Sequence, residues 1–385
     1  MSDAYIVQAI RTAGGRRKGK LAAWHPADLA GEVLNALVDR SGIDPAAVED
    51  VVFGCVSQVG EQSFHIGRNA VLASKLPDSV PAVSIDRQCG SSQQALHFAA
   101  QAVMSGTQDV VIAAGVESMT RVPIGSPTAL AVNAGLGGPW SQRIQDRYGV
   151  KEFSQFTGAQ LLAEKYGFSR ERLDEFALLS HQRAARATQA KAFASEILPI
   201  RIAGGEHTVD EGIRFDATRE SIGGVKLLKE GGVLTAANAS QVCDGAAGIL
   251  VVNDRGLKAH GLTPLARIHN LTVTGGDPVI MLEEPIGATR LALKRSGMKI
   301  EDIDLYEINE AFASVPLAWL KGVDGNPERM NVNGGAIALG HPLGATGAKL
   351  MTTLLSALRA RKARYGLQAM CEGGGLANVT IIEAL

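Results

Sequence analysis

What this 385-residue chain lacks narrows its chemistry before any motif is read. It has no surplus of one charge: 38 Lys and Arg stand against 39 Asp and Glu, a formal net charge of −1. No basic field exists to hold a polyanion, so neither nucleic-acid nor membrane-surface binding is expected. No apolar run approaches the roughly 18 residues of a membrane span. The four cysteines, Cys55, Cys89, Cys243 and Cys371, form no CxxC pair, which argues against a disulfide framework, a zinc knuckle or any other metal centre and for a reducing compartment. The N-terminus has no apolar export region, and Glu383-Ala384-Leu385 is not a Ser-Lys-Leu signal. A cytoplasmic location is therefore expected.

What the chain has in plenty is glycine, 44 residues, about 11% against a usual ~7%, with no collagen-like period. Apolar β-rich runs alternate with helical patterns, which predicts an α/β fold with a mostly buried sheet. Tyr5–Ala9, Val51–Cys55, Ala82–Ile85 and Val110–Gly115 read as strands; Pro26–Ser41 and Gly90–Ser105 read as helices. The C-terminal third repeats that order. Asp50–Phe53 has a counterpart in Asp304–Glu307, Val83–Ile85 in Met330–Val332, and Val110–Val116 in Gly366–Glu372, all at an offset of roughly 250 residues, as a duplicated unit would give. The chain thus divides into a first half over 1–119 plus about 247–264, a second half over 265–385, and an insert over 120–246. The insert carries two amphipathic stretches, Gly158–Tyr166 and Arg170–Ala192, and a turn-rich loop at Gly135–Pro139. A segment this long after a strand end is expected to shape a binding site.

Four segments carry chemistry. Cys89, in Asp86-Arg87-Gln88-Cys89-Gly90-Ser91-Ser92, follows a strand and precedes a helix; a helix N-terminus is expected to lower its pKa and supply thiolate. A free cysteine is also commonly a small buried hydrophobe. His341 stands in Gly340-His341-Pro342 at a strand-to-helix corner, inside the glycine-rich run 333–347. That run is no phosphate loop, because the GxxxxGK[ST] spacing is missing. Cys371 opens Cys371-Glu372-Gly373-Gly374-Gly375 at a strand end, where three glycines mean a bulge or a backbone that lies close to a bound group. Asn309, in Asn309-Glu310-Ala311-Phe312, also suits a plain helix cap.

Taken together, and with Arg11-Thr12, Gly115-Val116-Glu117-Ser118-Met119 and Asn238-Ala239-Ser240 with Asp244-Gly245-Ala246, these segments closely resemble the thiolase family along the whole chain. The resemblance implies a thiolase-like fold of two duplicated βαβαβ-type halves stacked as αβαβα layers with an inserted loop domain. It implies coenzyme A-dependent cleavage of a 3-oxoacyl-CoA, with ping-pong kinetics through an acyl-cysteine. By the same resemblance Cys89 is the acylated nucleophile, His341 its base, and Cys371 the acid/base at the α-carbon. Asn309 holds a water that completes one oxyanion hole, while the Cys89 and Gly373 amides form another. Preorganised donors at the carbonyl oxygen should supply the largest catalytic term, because the enolate is high in energy. Ser240 matches a contact to the pantetheine arm, and Arg214 resembles an arginine near the nucleotide end. No permanently bound cofactor is implied; coenzyme A and acyl-CoA are substrates, and the chain is expected to form a homodimer or homotetramer.

Three departures bear on the substrate. Phe153-Ser154-Gln155-Phe156-Thr157-Gly158-Ala159 replaces the His-Met-Gly stretch of short-chain members, Leu227-Leu228-Lys229 replaces a common Leu-Arg-Pro, and Leu376-Ala377 follows the glycines. With Arg87–Gln94 and Cys371-Glu372-Gly373, they resemble an actinobacterial branch associated with steroid breakdown. The competing readings are a biosynthetic acetoacetyl-CoA-forming condensation and, in another class, a non-catalytic acyl-CoA or lipid carrier. Cys89, His341 and Cys371 together count against a carrier, which needs no paired thiols and base.

Overall fold

The computed structural model describes residues 2–385. The strands Val110–Ser118, Cys243–Val252, Tyr365–Glu372 and Leu376–Ala384 are buried at nearly every position, as strands covered by helices on both faces must be, whereas Ala266–Gly275 is only partly buried. The first half contributes β1 (Tyr5–Thr12), β2 (Asp50–Gly54), β3 (Ala82–Ile85), β4 (Val110–Ser118) and β5 (Cys243–Val252). The second contributes β6 (Ala266–Gly275), β7 (Leu305–Ile308), β8 (Tyr365–Glu372) and β9 (Leu376–Ala384). Their spatial order is β3-β2-β4-β5-β1 followed by β6-β9-β8-β7. Each half has parallel strands at its outer edge and an antiparallel inner pair, and the halves join at two residue pairs, Tyr5↔Arg267 and Ile6↔Ala266.

The repeat is therefore real, with one exception. Met330–Val332, matched in sequence to β3, forms no strand; only an isolated bridge joins Met330 to Tyr306. Asn331 turns the chain out at φ 45°. Its side-chain amide then takes the place of a strand backbone, Oδ1 accepting from Ile308 N–H and Nδ2 donating to Ile308 C=O, both at 2.9 Å.

Helices α1 (Pro26–Ser41), α2 (Ser91–Ser105), α3 (Gln155–Tyr166), α4 (Arg170–Gln189), α5 (Glu284–Ser296), α6 (Ser314–Val323) and α7 (Leu343–Arg361) complete the layers. α1 covers the outer face of the first half's sheet. α3 to α6 cover the outer face of the second. α2 and α7 lie between the two sheets, their Ala95, Leu96, Ala99, Ala348, Met351 and Leu354 in one cluster with strand residues of both halves. The layered αβαβα arrangement is as expected. Strand β5 begins at Cys243, so residues 243–246, grouped by sequence with the insert, pair with the end of β4.

Sandwiched helices can approach strand ends only where side chains are absent. A Cβ on Gly115 of β4 would lie 2.2 Å from Gly344 O, one on Gly54 of β2 2.5 Å from Ser92 N, and one on Gly347 2.2 Å from Gln93 N. Such distances lie far inside contact, so part of the glycine surplus serves backbone-to-backbone packing around the two helix N-termini. Gly115→Ala is predicted to cost about 1–3 kcal/mol or more through overpacking. An unchanged urea midpoint would show that α7 is free to shift.

Candidate active site

The Cys89 corner is built by local hydrogen bonding. The Asp86 carboxylate accepts from the Gln88 backbone N–H at 2.6 Å and from its side-chain amide. This holds Gln88 at φ 48°, a conformation uncommon outside glycine, and turns Cys89 out of the strand just ahead of α2. The expected low thiol pKa is not met: burial, and then the Glu372 carboxyl, push Cys89 up to about 12. The helix amides are already committed, Gly90 N–H to Arg87 O at 3.1 Å and Ser91 N–H to Gln88 O at 3.0 Å. A backbone N–H bond from Cys89 itself lowers the value without offsetting burial, so Cys89 rests as a thiol.

Cys371 lies at the end of β8, where Gly374 and Gly375, at φ 83° and 77°, close the tight return into β9. Burial, then Cys89 and Glu372, raise its pKa well above the ordinary thiol value. Glu372 shows how a repeat can diverge. Near the end of β4, the buried Glu117 accepts from Val56 N–H, Ser57 N–H, the Gln62 amide and Gly344 N–H at 2.8–3.0 Å. Near the end of β8, both Glu372 oxygens are buried without a protein partner, and burial raises its pKa well above the carboxylate range. Gly90 makes room for it, since a Cβ there would lie 1.8 Å from Glu372 Oε1.

His341 sits in the bend between a short helix, Ala336–Leu339, and α7. Its Nδ1 is 2.6 Å from Thr346 Oγ1, and its Nε2 is 3.4 Å from Asn309 Nδ2. Burial, and then Lys349, lower its pKa to about 3, so the ring is neutral. Asn309 Oδ1 is buried with no protein partner. Glu310, next in sequence, accepts from Ser180 Oγ, Asn331 Nδ2 and Ile337 N–H, tying α4 to the segment that leads into His341.

The bend is held from behind by buried charge. Lys349 donates to Leu339 O and Gly340 O and faces Asp210 at 3.4 Å. Asp210 also takes two nitrogens of Arg11, which reaches Glu196 through Nε at 2.6 Å. Two cations and two anions thus cancel inside the protein. Burial would raise the Asp210 pKa, but Arg11 and then Lys349 outweigh it and hold the carboxyl below its ordinary value.

A cavity of about 790 Å³ opens onto Cys89, Cys371 and Gly373, with walls that include Trp140, Phe153 and Met281. His341 and Asn309 are outside that lining, each two residues along the chain from a residue within it, Leu343 and Ala311. Three of the seven sequence-derived site residues therefore line one cavity, and two more, His341 and Asn309, meet each other. Ser240 is not part of that lining; it is half-buried, with its N–H on Ala311 O at 2.9 Å. Arg214 is exposed and also lies outside the lining. The sequence alone does not mark Asp210, Glu196 and Glu310 as supports, because bonds such as those from Arg11, Ser180 and Lys349, spanning 130 to 199 residues, leave no local pattern. Thr346 had a visible signal, a hydroxyl one helical turn past Pro342.

Comparison with known proteins follows this geometry. The family profile described as "Thiolase, N-terminal domain" matches residues 4–255, and "Thiolase, C-terminal domain" matches residues 262–384. A steroid 3-ketoacyl-CoA thiolase of Mycobacterium tuberculosis is 52% identical over 387 aligned residues, covering 100% of this chain and 95% of that protein. A 3-ketoacyl-CoA thiolase of Erwinia tasmaniensis is 41% identical, with complete coverage of both. The crystal structure of human mitochondrial 3-ketoacyl-CoA thiolase superposes with a TM-score of 0.89 at 33% identity, covering 100% of this chain and 99% of that one.

The charge network yields a prediction. Because the folded pKa of Asp210 lies below its unfolded value, its stabilisation is present in full above the ordinary Asp range near 3.9 and is lost as pH falls through the folded pKa. Asp210→Asn is expected to remove that acid-sensitive contribution and cost about 3–5 kcal/mol at neutral pH, since buried cations lose their counter-charge. Denaturant titration at pH 7 and at pH 3, below the ordinary Asp value, checks both, and equal midpoints for variant and wild type at pH 7 would refute the role.

Proposed function

This chain belongs to the thiolase family and is an acyltransferase that cleaves a 3-oxoacyl-CoA with coenzyme A; from that premise we propose how its own residues carry the reaction. The carrying observation is the meeting of Cys89, Cys371 and Gly373 in one cavity, with the neutral His341 and Asn309 meeting each other two residues along the chain from its lining.

The Cys89 sulfur attacks the 3-oxo carbon while its proton passes to His341 Nε2. Neither a free thiolate nor a free imidazolium is favoured in so dry a site, so proton transfer accompanies attack rather than preceding it. The C2–C3 bond then breaks. The acyl group stays on Cys89 as a thioester, and the departing acetyl-CoA carbanion takes the Cys371 thiol proton at C2. In the second half-reaction the Cys371 thiolate removes the proton of incoming coenzyme A, whose sulfur attacks the acyl carbon. Cys89 leaves and recovers its proton from His341. Both thiols end as they began.

Charge on the substrate oxygens needs donors already in place. The Cys89 and Gly373 backbone N–H groups suit one oxygen. A water on the partnerless Asn309 Oδ1, together with His341 once protonated, suits the enolate. Ser240, beside the wall residue Ala311, is assigned to the pantetheine arm, and Arg214 to the nucleotide end of coenzyme A, where a guanidinium suits phosphate or adenine.

For the substrate we propose a bulky, ring-bearing 3-oxoacyl-CoA of steroid origin. Two observations support this: the 52% identity to a relative bearing that name, and a cavity of drug-sized ligand volume with aromatic walls from the insert at Trp140 and Phe153. Residues 120–242 are accordingly assigned as the substrate-shaping domain. A homodimer or homotetramer is also proposed, since the edge strand β3 leaves one side unpaired with Val83 exposed.

Two measurements test these assignments. Cys371→Ala should lose roughly 10²–10⁴-fold or more in thiolysis, while a simple acyl-CoA still leaves an acyl group on Cys89 by peptide mass; full turnover would remove Cys371 from the role. Across a panel of 3-oxoacyl-CoA thioesters, kcat/KM should favour ring-bearing over acetoacetyl substrates, and the reverse order would refute the steroid assignment.

A further inference from the structure

A histidine that takes a proton on Nε2 must keep that nitrogen bare beforehand, and neutral imidazole has two ways to place its one N–H. The surroundings of His341 favour one of them. Thr346 Oγ1 lies 2.8 Å from Pro342 O and 2.6 Å from His341 Nδ1. A carbonyl oxygen has no proton to give, and a hydroxyl has one. With the Thr346 O–H donating to Pro342 O, Oγ1 bonds Nδ1 by accepting from an Nδ1–H, the one arrangement in which both short contacts are hydrogen bonds. On the opposite side of the ring the Asn309 amide Nδ2, a donor, faces Nε2 at 3.4 Å, which suits a bare Nε2.

The hydroxyl itself cannot easily turn away. Thr346 is fully buried in the first turn of α7. A threonine bonded to the carbonyl four residues back holds a preferred helical rotamer, and the Gly347 backbone that follows is pressed against Gln93.

We propose that Thr346 is a positioning residue that fixes His341 as its Nδ1–H tautomer, leaving Nε2 as the lone pair that receives the Cys89 proton. This rests on the reading of His341 as the base, and it adds what selects the basic nitrogen. Proton balance is simple. When Nε2 takes the Cys89 proton, the Nδ1–H stays on Thr346 Oγ1, and no proton needs to move through the hydroxyl.

The test uses the full-length enzyme labelled with 15N-histidine. The His341 signals are those lost in His341→Asn, and long-range proton–nitrogen correlations report which ring nitrogen is protonated. Wild type should show a protonated Nδ1 and a bare Nε2; a protonated Nε2 overturns the proposal at once. Thr346→Val removes the hydroxyl at nearly constant size. It should shift the ring toward Nε2–H and slow acylation of Cys89 by up to roughly 10²–10⁴-fold, the share a general base supplies. Thr346→Ser should restore the tautomer and recover most of the rate. A folded Thr346→Val that keeps Nδ1–H and acylates at the wild-type rate refutes the inference, and should that variant fail to fold, the wild-type spectrum still decides it. If His341→Asn acylates normally, the base assignment fails instead, a result the tautomer measurement does not share.

Discussion

Two helices, α2 and α7, run between the strands of the two halves with their N-terminal turns buried, and most of what is particular to this protein follows from that confinement. Their N-termini meet the ends of strands from both halves. The approach is so close that Gly54, Gly115 and Gly347 have no space for a Cβ. Polar groups carried inward must find partners there. Gln93, His97, Gln368 and Thr380 bond one another across the layer, and Ser92 Oγ accepts from Ala348 N–H. A residue on either helix N-terminus is thus held on rigid backbone in a dry setting, which suits a catalytic group that must not wander.

The same dryness sets the protonation states. Burial disfavours charge whatever its sign, so it raises the thiols of Cys89 and Cys371 and lowers His341. The site rests neutral, with its reactive proton still on sulfur. Charge is tolerated only where it is cancelled, as among Arg11, Glu196, Asp210 and Lys349, or fully bonded, as at Glu117. That network does more than survive burial. Through Lys349 it grips the two carbonyls just before His341, joining strand β1, the insert and α7 at the bend that presents the imidazole.

Much of this was legible in the residues. The 250-residue offset located β7 and β8, and helix α1 and strand β3 have the bounds the pattern predicts. Cys89, His341 and Cys371 stood out because each sits at a strand or helix end among glycines, a pattern confined to a few neighbouring positions. The misreadings share a cause. Met330–Val332 has strand-like residues, but Asn331 bonds Ile308 through its side chain and turns the backbone away. Cys89 stands ahead of a helix, yet burial and the Glu372 carboxyl outweigh any lowering of its pKa there. Local sequence describes what a segment is able to do; its neighbours decide which option it takes.

The sequence by itself determined the family and the duplicated α/β architecture and singled out the candidate reacting side chains, because these depend on composition, periodicity and short motifs. Tertiary structure alone decided which states those side chains occupy. The neutrality of the site, the bare nitrogen of His341, the partnerless Glu372 against Gly90 and the charge network behind the bend all join residues tens to hundreds of positions apart. Their energies come from desolvation and from hydrogen bonds that exist only once the layers have closed.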